Sequence, residues 1–194
     1  MPTMKSVQTA EPGTIKVAEI QRPAPGPRDL LVRVRACGIC GTDAAFVQMG
    51  GMQLGPEGET ASIPLGHEPA GEVVEIGAEV TGLKTGDRVV NPQAAPSGII
   101  GCGGPLGGMS EYLLIQNAVA GTSVAVFPDD LPFEVAARND PMAVARHCVN
   151  RSGARAADKV VVFGAGPIGL GAVIWLKLRG VRQVAVADVT PAAC

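Results

Sequence analysis

Before about residue 130, apolar and polar residues alternate in short runs broken by turn residues, the spacing of strands with one face buried. Residues 30–35 (LLVRVR) show this period after the turn Gly26-Pro27-Arg28-Asp29. Residues 71–80 and 87–90 read as further strands joined by a turn at 82–86, and residues 110–115 as another. Short strands so spaced predict a small β-barrel or sandwich. Near Leu131 the period lengthens, and residues 132–150 read as helical with an interruption at Asp140-Pro141. Pro141 suits the first position of a new helix, where its missing N–H costs nothing. A strand at 159–163, a helix at 167–179 and a strand at 183–187 then make a β-α-β unit. The expected fold class is mixed, a β-barrel domain over residues 1–150 and the start of an α/β domain over 151–194.

The β-α-β unit carries a chemical signal. Gly164-Ala165-Gly166-Pro167-Ile168-Gly169 matches G-x-G-x-x-G where an apolar strand gives way to a helix, and Asp188 follows the next strand. Gly164 permits the tight turn, Gly166 lets a pyrophosphate approach the backbone, and Gly169 lets helix and strand lie close. The helix start, with Pro167 and Ile168, offers unpaired N–H groups to phosphates. A carboxylate at Asp188 suits the ribose hydroxyls and repels a 2′-phosphate, so the expected cofactor is NAD. The unit reads as the first part of a Rossmann domain; its bland alternative is a glycine-rich turn in another α/β protein.

Composition removes several function classes. With 46% hydrophobic and 18% charged residues in 194, the chain can bury a core. The net charge is −2 and no dense Lys/Arg cluster occurs, which argues against a nucleic-acid partner. Residues 160–176 lack charge, but four glycines and Pro167 interrupt them, so they read as strand, turn and helix rather than a membrane span. Lys5, Glu11, Lys16 and Glu19 leave no apolar signal segment near the N-terminus, and the expected location is cytoplasmic. The five cysteines include Cys37-Gly38-Ile39-Cys40 and suggest reduced thiols for metal or redox chemistry rather than a disulfide framework.

Three segments together resemble one family. Cys37-Gly38-Ile39-Cys40-Gly41-Thr42-Asp43 looks like the C-G-I-C-G-T-D motif of zinc-dependent medium-chain alcohol and polyol dehydrogenases. Gly66-His67-Glu68-Pro69-Ala70-Gly71, continued to Gly77 and Val80, is similar to that family's zinc signature. Residues 140–147, from Asp140 to His147, resemble its E-P-L-A-V-A-x-H segment, with Asp in place of Glu. With the glycine fingerprint, these matches follow the family's order along the whole chain. The resemblance implies a GroES-like catalytic domain before a Rossmann domain, and a parent that is a dimer or tetramer. Since the chain stops after one β-α-β, it reads as an N-terminal piece of such a parent.

The resemblance also implies roles. Cys40, His67 and the carboxylate of Asp140 would hold one catalytic Zn²⁺ with an open fourth position, and Glu68 is an alternate ligand. A metal so held acidifies a small-molecule alcohol, Thr42 accepts the proton, Asp43 orients His67, and NAD takes the hydride. The implied activity is oxidation of a secondary alcohol or polyol. Three positions depart from the pattern. Ala45 stands where many relatives carry a proton-relaying histidine, and Asp140 is one methylene shorter than Glu. Between Val90 and Tyr112 only Cys102 is present, so no structural zinc is expected. The other class of function is a zinc-free, quinone-reductase-like or purely binding relative on the same barrel. Cys37 reads as a packed thiol or half of a redox pair with Cys40, and His147 as structural. Residues 46–63, with Phe46, Met49, Met52 and Leu54, read equally as pocket lining or surface loop.

Overall fold

The computed structural model describes residues 2–190 apart from 56–58, 93 and 96–97, so Cys194 lies outside the described residues. The chain divides into two units, Met1–Ala137 and Arg138–Cys194. In order, the first holds β1 (Thr3–Thr9), β2 (Ile15–Gln21), β3 (Leu30–Gly38), α1 (Gly41–Met49), β4 (Met52–Gln53) and β5 (Thr60–Ala61). It continues with β6 (Glu68–Ile76), β7 (Arg88–Val90), β8 (Ala94–Ala95), β9 (Gly98–Ile99), β10 (Tyr112–Ile115), β11 (Ala125–Val126) and α2 (Phe133–Ala136). The second holds α3 (Asn139–Ser152), β12 (Lys159–Phe163), α4 (Pro167–Leu178) and β13 (Gln183–Ala187).

The first unit is built on an antiparallel sheet in the order β10-β3-β6-β7-β11. Its core joins Leu30, Val32, Val73, Val89, Leu113 and Ile115. Burial follows strand period where a strand has one wet face, as in β10. In β3, by contrast, Leu30, Leu31 and Val32 are buried in succession, and the register shifts between Leu31 and Val32. A bulge there turns neighbouring side chains into apolar surroundings that strict alternation would not allow. The strand read at 71–80 in fact begins at Glu68 and ends at Ile76. Residues 77–80 turn instead, closed by Val80 N–H on the Gly77 carbonyl at 3.0 Å. A hairpin of β1 and β2 precedes the sheet.

One pairing matters most for chemistry. Antiparallel register sets Gly38, the last residue of β3, beside Glu68, the first of β6. Two segments far apart in sequence, the cysteine motif and the histidine motif, are therefore neighbours at one end of the sheet.

In the second unit β12 and β13 pair in parallel, as a strand–helix–strand connection requires. The division at residue 150 read from the sequence differs from the observed one because α3 goes with this unit. Its buried residues are Ala145 and Val149, and Val149 packs on Ala172 and Leu176 of α4. Trp175 packs in the same cluster and donates its indole N–H to the Met142 carbonyl at 2.9 Å. The helix interruption also falls elsewhere, at Ala137 and Arg138 between α2 and α3. Pro141 lies within the first turn of α3, where an unbonded nitrogen is harmless. Among the described residues no helix is long and apolar enough to cross a membrane.

Candidate metal and nucleotide sites

Cys40 caps the N-terminus of α1, with extended backbone at φ −95° and ψ 157°. Its N–H donates to Asp43 Oδ2 at 2.9 Å, satisfying a donor that a helix start leaves open. Asp43 Oδ1 accepts the Gly66 N–H at 2.9 Å and lies 3.7 Å from His67 Nδ1. One carboxylate thus ties the cysteine turn to the histidine segment. Asp43, His67 and Glu68 are 3%, 3% and 7% exposed, so these contacts are shielded from water. Helix α1 over Gly41–Met49 replaces the start of the loop or pocket wall expected from residue 46. Only Asp43 is buried along α1, so no apolar stripe announced it. Its ends were the available signal, Asp43 three residues after Cys40 and Gly50 at φ 75° as stop. Met49 and Leu54 are exposed, and residues 56–58 of that stretch lie outside the described residues.

Among the described residues, Cys40, His67 and Glu68 form a cluster whose ligand atoms all lie within 4.8 Å of one another. Zinc bond lengths near 2.0–2.3 Å put tetrahedral ligands roughly 3.3–3.8 Å apart, so the donor set closes on such an ion with small side-chain movements. Asp140 lies in the first turn of α3, in the second unit, and His147 and Cys148 on the same helix are exposed. Thr42 is exposed, with Oγ1 3.7 Å from Cys40 Sγ. Cys102 sits 3.4 Å from His67 Nδ1 through its sulfur, a neighbour the sequence reading did not anticipate.

Gly38 is needed for Glu68 to enter. A Cβ at Gly38 would stand 2.0 Å from Glu68 Oε2. Gly38→Ala is therefore expected to expel the Glu68 carboxylate and lower stability by about 1–3 kcal/mol, the usual cost of overpacking. Thermal unfolding together with zinc affinity checks this; unchanged values in both would mean that Glu68 has another place to stand.

Electrostatics separate the two cysteines. Burial pushes the Cys37 thiol up to about 12, outweighing a backbone hydrogen bond at Glu68, so it stays neutral. Its Sγ lies 3.4 Å from the Gly38 carbonyl. Burial alone would raise the Asp43 carboxyl, but hydrogen bonding with His67 and the Cys40 and Gly66 N–H groups holds it below the ordinary range. The same Asp43 carboxylate raises His67 from 6.5 to about 9, against desolvation and with help from Cys40. Without metal, His67 thus gains affinity for a proton on folding. The sign follows from linkage: the stabilisation is complete below pH 6.5 and is lost as pH rises through about 9. An NMR titration of the metal-free chain should place His67 near 9, and a midpoint at or below 6.5 would contradict the pairing with Asp43.

The second unit carries the candidate nucleotide-binding turn. Gly164 takes φ 98°, and its N–H reaches the Ala187 carbonyl at 2.7 Å. Gly166 caps α4 with Pro167 in its first turn, and nothing stands within 4 Å of where a Gly166 Cβ would be. At Gly169 a Cβ would fall 1.9 Å from the Gly164 carbonyl oxygen, so only glycine lets the helix pass. Ile168 is 39% exposed beside them. Asp188 Oδ2 accepts the Ala165 N–H at 2.7 Å and Oδ1 the Thr190 N–H at 2.8 Å. Those bonds, Ala165 first, hold its carboxyl below the usual range, so it is anionic beside the glycine turn.

The profile of the alcohol dehydrogenase GroES-like domain matches residues 26–125. The chain is 34% identical to the (R,R)-butanediol dehydrogenase of Bacillus subtilis, over 97% of this chain and 59% of that protein. It is 31% identical to human sorbitol dehydrogenase, over 97% of this chain and 56% of that one. A dehydrogenase of Sinorhizobium meliloti 1021, classed as zinc-binding and solved with NADP, superposes with a TM-score of 0.83 at 31% identity. That match covers 100% of this chain and 58% of the other. The chain thus spans under two-thirds of the length of these relatives.

Proposed function

Because this chain belongs to the medium-chain alcohol and polyol dehydrogenase family, with its GroES-like domain, we propose that its parent oxidises a secondary alcohol or polyol with zinc and NAD. The observation that carries this is the convergence of Cys40, His67 and Glu68 beside Thr42, with Asp43 behind the imidazole. Cys40 and His67 anchor the ion. The carboxylate is Glu68 from the cluster or Asp140 from the family motif, and one further position is left to substrate. Zinc there supplies Lewis acidity, enough for an alcohol to lose a proton near neutral pH.

The chain's own groups account for the rest. Asp43 faces Nδ1 of His67, which leaves Nε2 as the nitrogen for the metal. The Thr42 hydroxyl takes the substrate proton; since Ala45 carries no titratable group and Thr42 is exposed, water receives it next. The β-α-β unit binds the dinucleotide, with Gly166 and the α4 N-terminus toward the pyrophosphate and Asp188 toward the ribose. The charge of Asp188 favours NAD over NADP.

The test is oxidation of a panel of vicinal diols and polyols by the parent protein with NAD or NADP, alongside the Glu68→Gln and Asp140→Asn variants. The reading expects metal-dependent reduction of NAD in preference to NADP, and zinc loss in whichever variant removes the ligand. Equal use of NADP would remove the role given to Asp188. Activity indifferent to metal removal would remove the mechanism.

A further inference from the structure

His67 Nδ1 has two neighbours, Asp43 Oδ1 at 3.7 Å and Cys102 Sγ at 3.4 Å. Asp43 belongs to the cysteine turn, whereas Cys102 comes from a separate glycine-rich turn. Cys102 has φ 45°, a left-handed conformation that residues with a Cβ rarely adopt. Its neighbours Gly101 and Gly103 take φ 60° and 90° without strain. Glycine would be the unstrained choice at all three positions, so the thiol at the middle one needs a use.

The turn is also held against the histidine. A Cβ at Gly101 would lie 2.6 Å from the Gly66 carbonyl oxygen and 3.3 Å from His67 Cβ. The Gly104 N–H closes the turn on the Gly101 carbonyl at 2.7 Å, and the Gly101 N–H bonds the Leu106 carbonyl at 2.8 Å. Cys102 is thereby delivered to one edge of the imidazole. It is not a member of the Cys40–His67–Glu68 cluster, which fits a sulfur acting on the edge opposite the metal.

We propose that Cys102 is a positioning residue of the metal site: its sulfur shares the Nδ1–H of His67 with Asp43 and fixes the neutral imidazole so that Nε2 faces Cys40 and Glu68. Sulfur is a weak acceptor, but here it is held rigidly and the donor is shielded from water. Its contribution is to orientation and tautomer, and hence to metal affinity. The inference rests on the reading of Cys40 and His67 as metal ligands.

The experiment compares Cys102→Gly, Cys102→Ala and Cys102→Ser with the unmodified protein. Zinc affinity is measured by competition with a chromophoric chelator, stability by thermal unfolding, and coordination by the spectrum of the cobalt-loaded form. Gly and Ala should weaken zinc binding about 10–100-fold, the usual range for a residue behind a ligand. Ser, whose hydroxyl can take the same N–H, should recover most of it. Cys102→Gly should unfold no earlier than the unmodified protein, because glycine removes the backbone strain. Metal affinity and stability then move apart, which a purely structural turn residue would not produce. Full zinc affinity in Cys102→Gly would overturn the proposal. So would a loss of sulfur-to-cobalt charge transfer in Cys102→Ser, since Cys102 would then be a ligand itself. An unmodified protein that binds no metal would overturn the ligand reading first, and this inference with it.

Discussion

Cys40→Ala is expected to abolish both zinc retention and turnover, while Cys37→Ala leaves both largely intact. The two thiols are three positions apart and occupy different physics. Cys37 is held neutral by burial at about 12, bonded to its own neighbour's carbonyl and outside the ligand cluster. A metal ligand must be a thiolate, and this environment opposes one. Cys40 stands at the start of α1, with its sulfur within 4.8 Å of the ligand atoms of His67 and Glu68. Removing it deletes the sole thiolate of the cluster and leaves two donors, too few to hold zinc against exchange. Cys37→Ala removes a small packed side chain and should cost stability on the scale of a minor core truncation. Zinc content and alcohol oxidation by the parent protein, measured on both variants together, read the contrast. Equal zinc loss in the two would make the site a Cys-x-x-Cys clip and end the dehydrogenase mechanism.

Thr42→Ala is expected to retain zinc and lose about 10²–10⁴-fold in rate, the range for removal of a general acid–base group. Its hydroxyl lies 3.7 Å from Cys40 Sγ on an exposed helical turn, beside the cluster but outside it. The defect should therefore appear in kcat with metal affinity unchanged. Because the missing step is proton removal, the loss should shrink as pH rises and hydroxide takes over the task. Thr42→Ser keeps the hydroxyl and should keep most of the rate. A Thr42→Ala variant with unimpaired turnover at neutral pH would place the proton acceptor elsewhere.

The two sites differ in how far the sequence alone reveals them. The glycine turn was legible because its demands are local: a positive φ at Gly164, a close approach at Gly169 and an acid one strand later follow in order. The candidate metal cluster was not legible from spacing. Cys40 and His67 meet only through the antiparallel register that sets Gly38 beside Glu68, and sequence periodicity does not encode which strands pair. The family motifs point to Cys40, His67 and Asp140 with Glu68 as alternate, and among the described residues the cluster brings together Cys40, His67 and Glu68. Helix α1 escaped notice because its one buried side chain is a carboxylate, and periodicity reads apolar faces. Cys102 escaped because a lone cysteine in a glycine-rich turn was weighed only as a missing structural site. Its left-handed backbone, which would have marked it, is visible only in three dimensions.

The most direct test of the account is the zinc content of the metal-replete chain, with and without the Cys40→Ala substitution. One zinc per chain is expected, lost with Cys40→Ala. No zinc in the unmodified protein would contradict it and favour a zinc-free relative on the same fold. A second zinc that survives Cys40→Ala would contradict the reading that the chain has no structural metal.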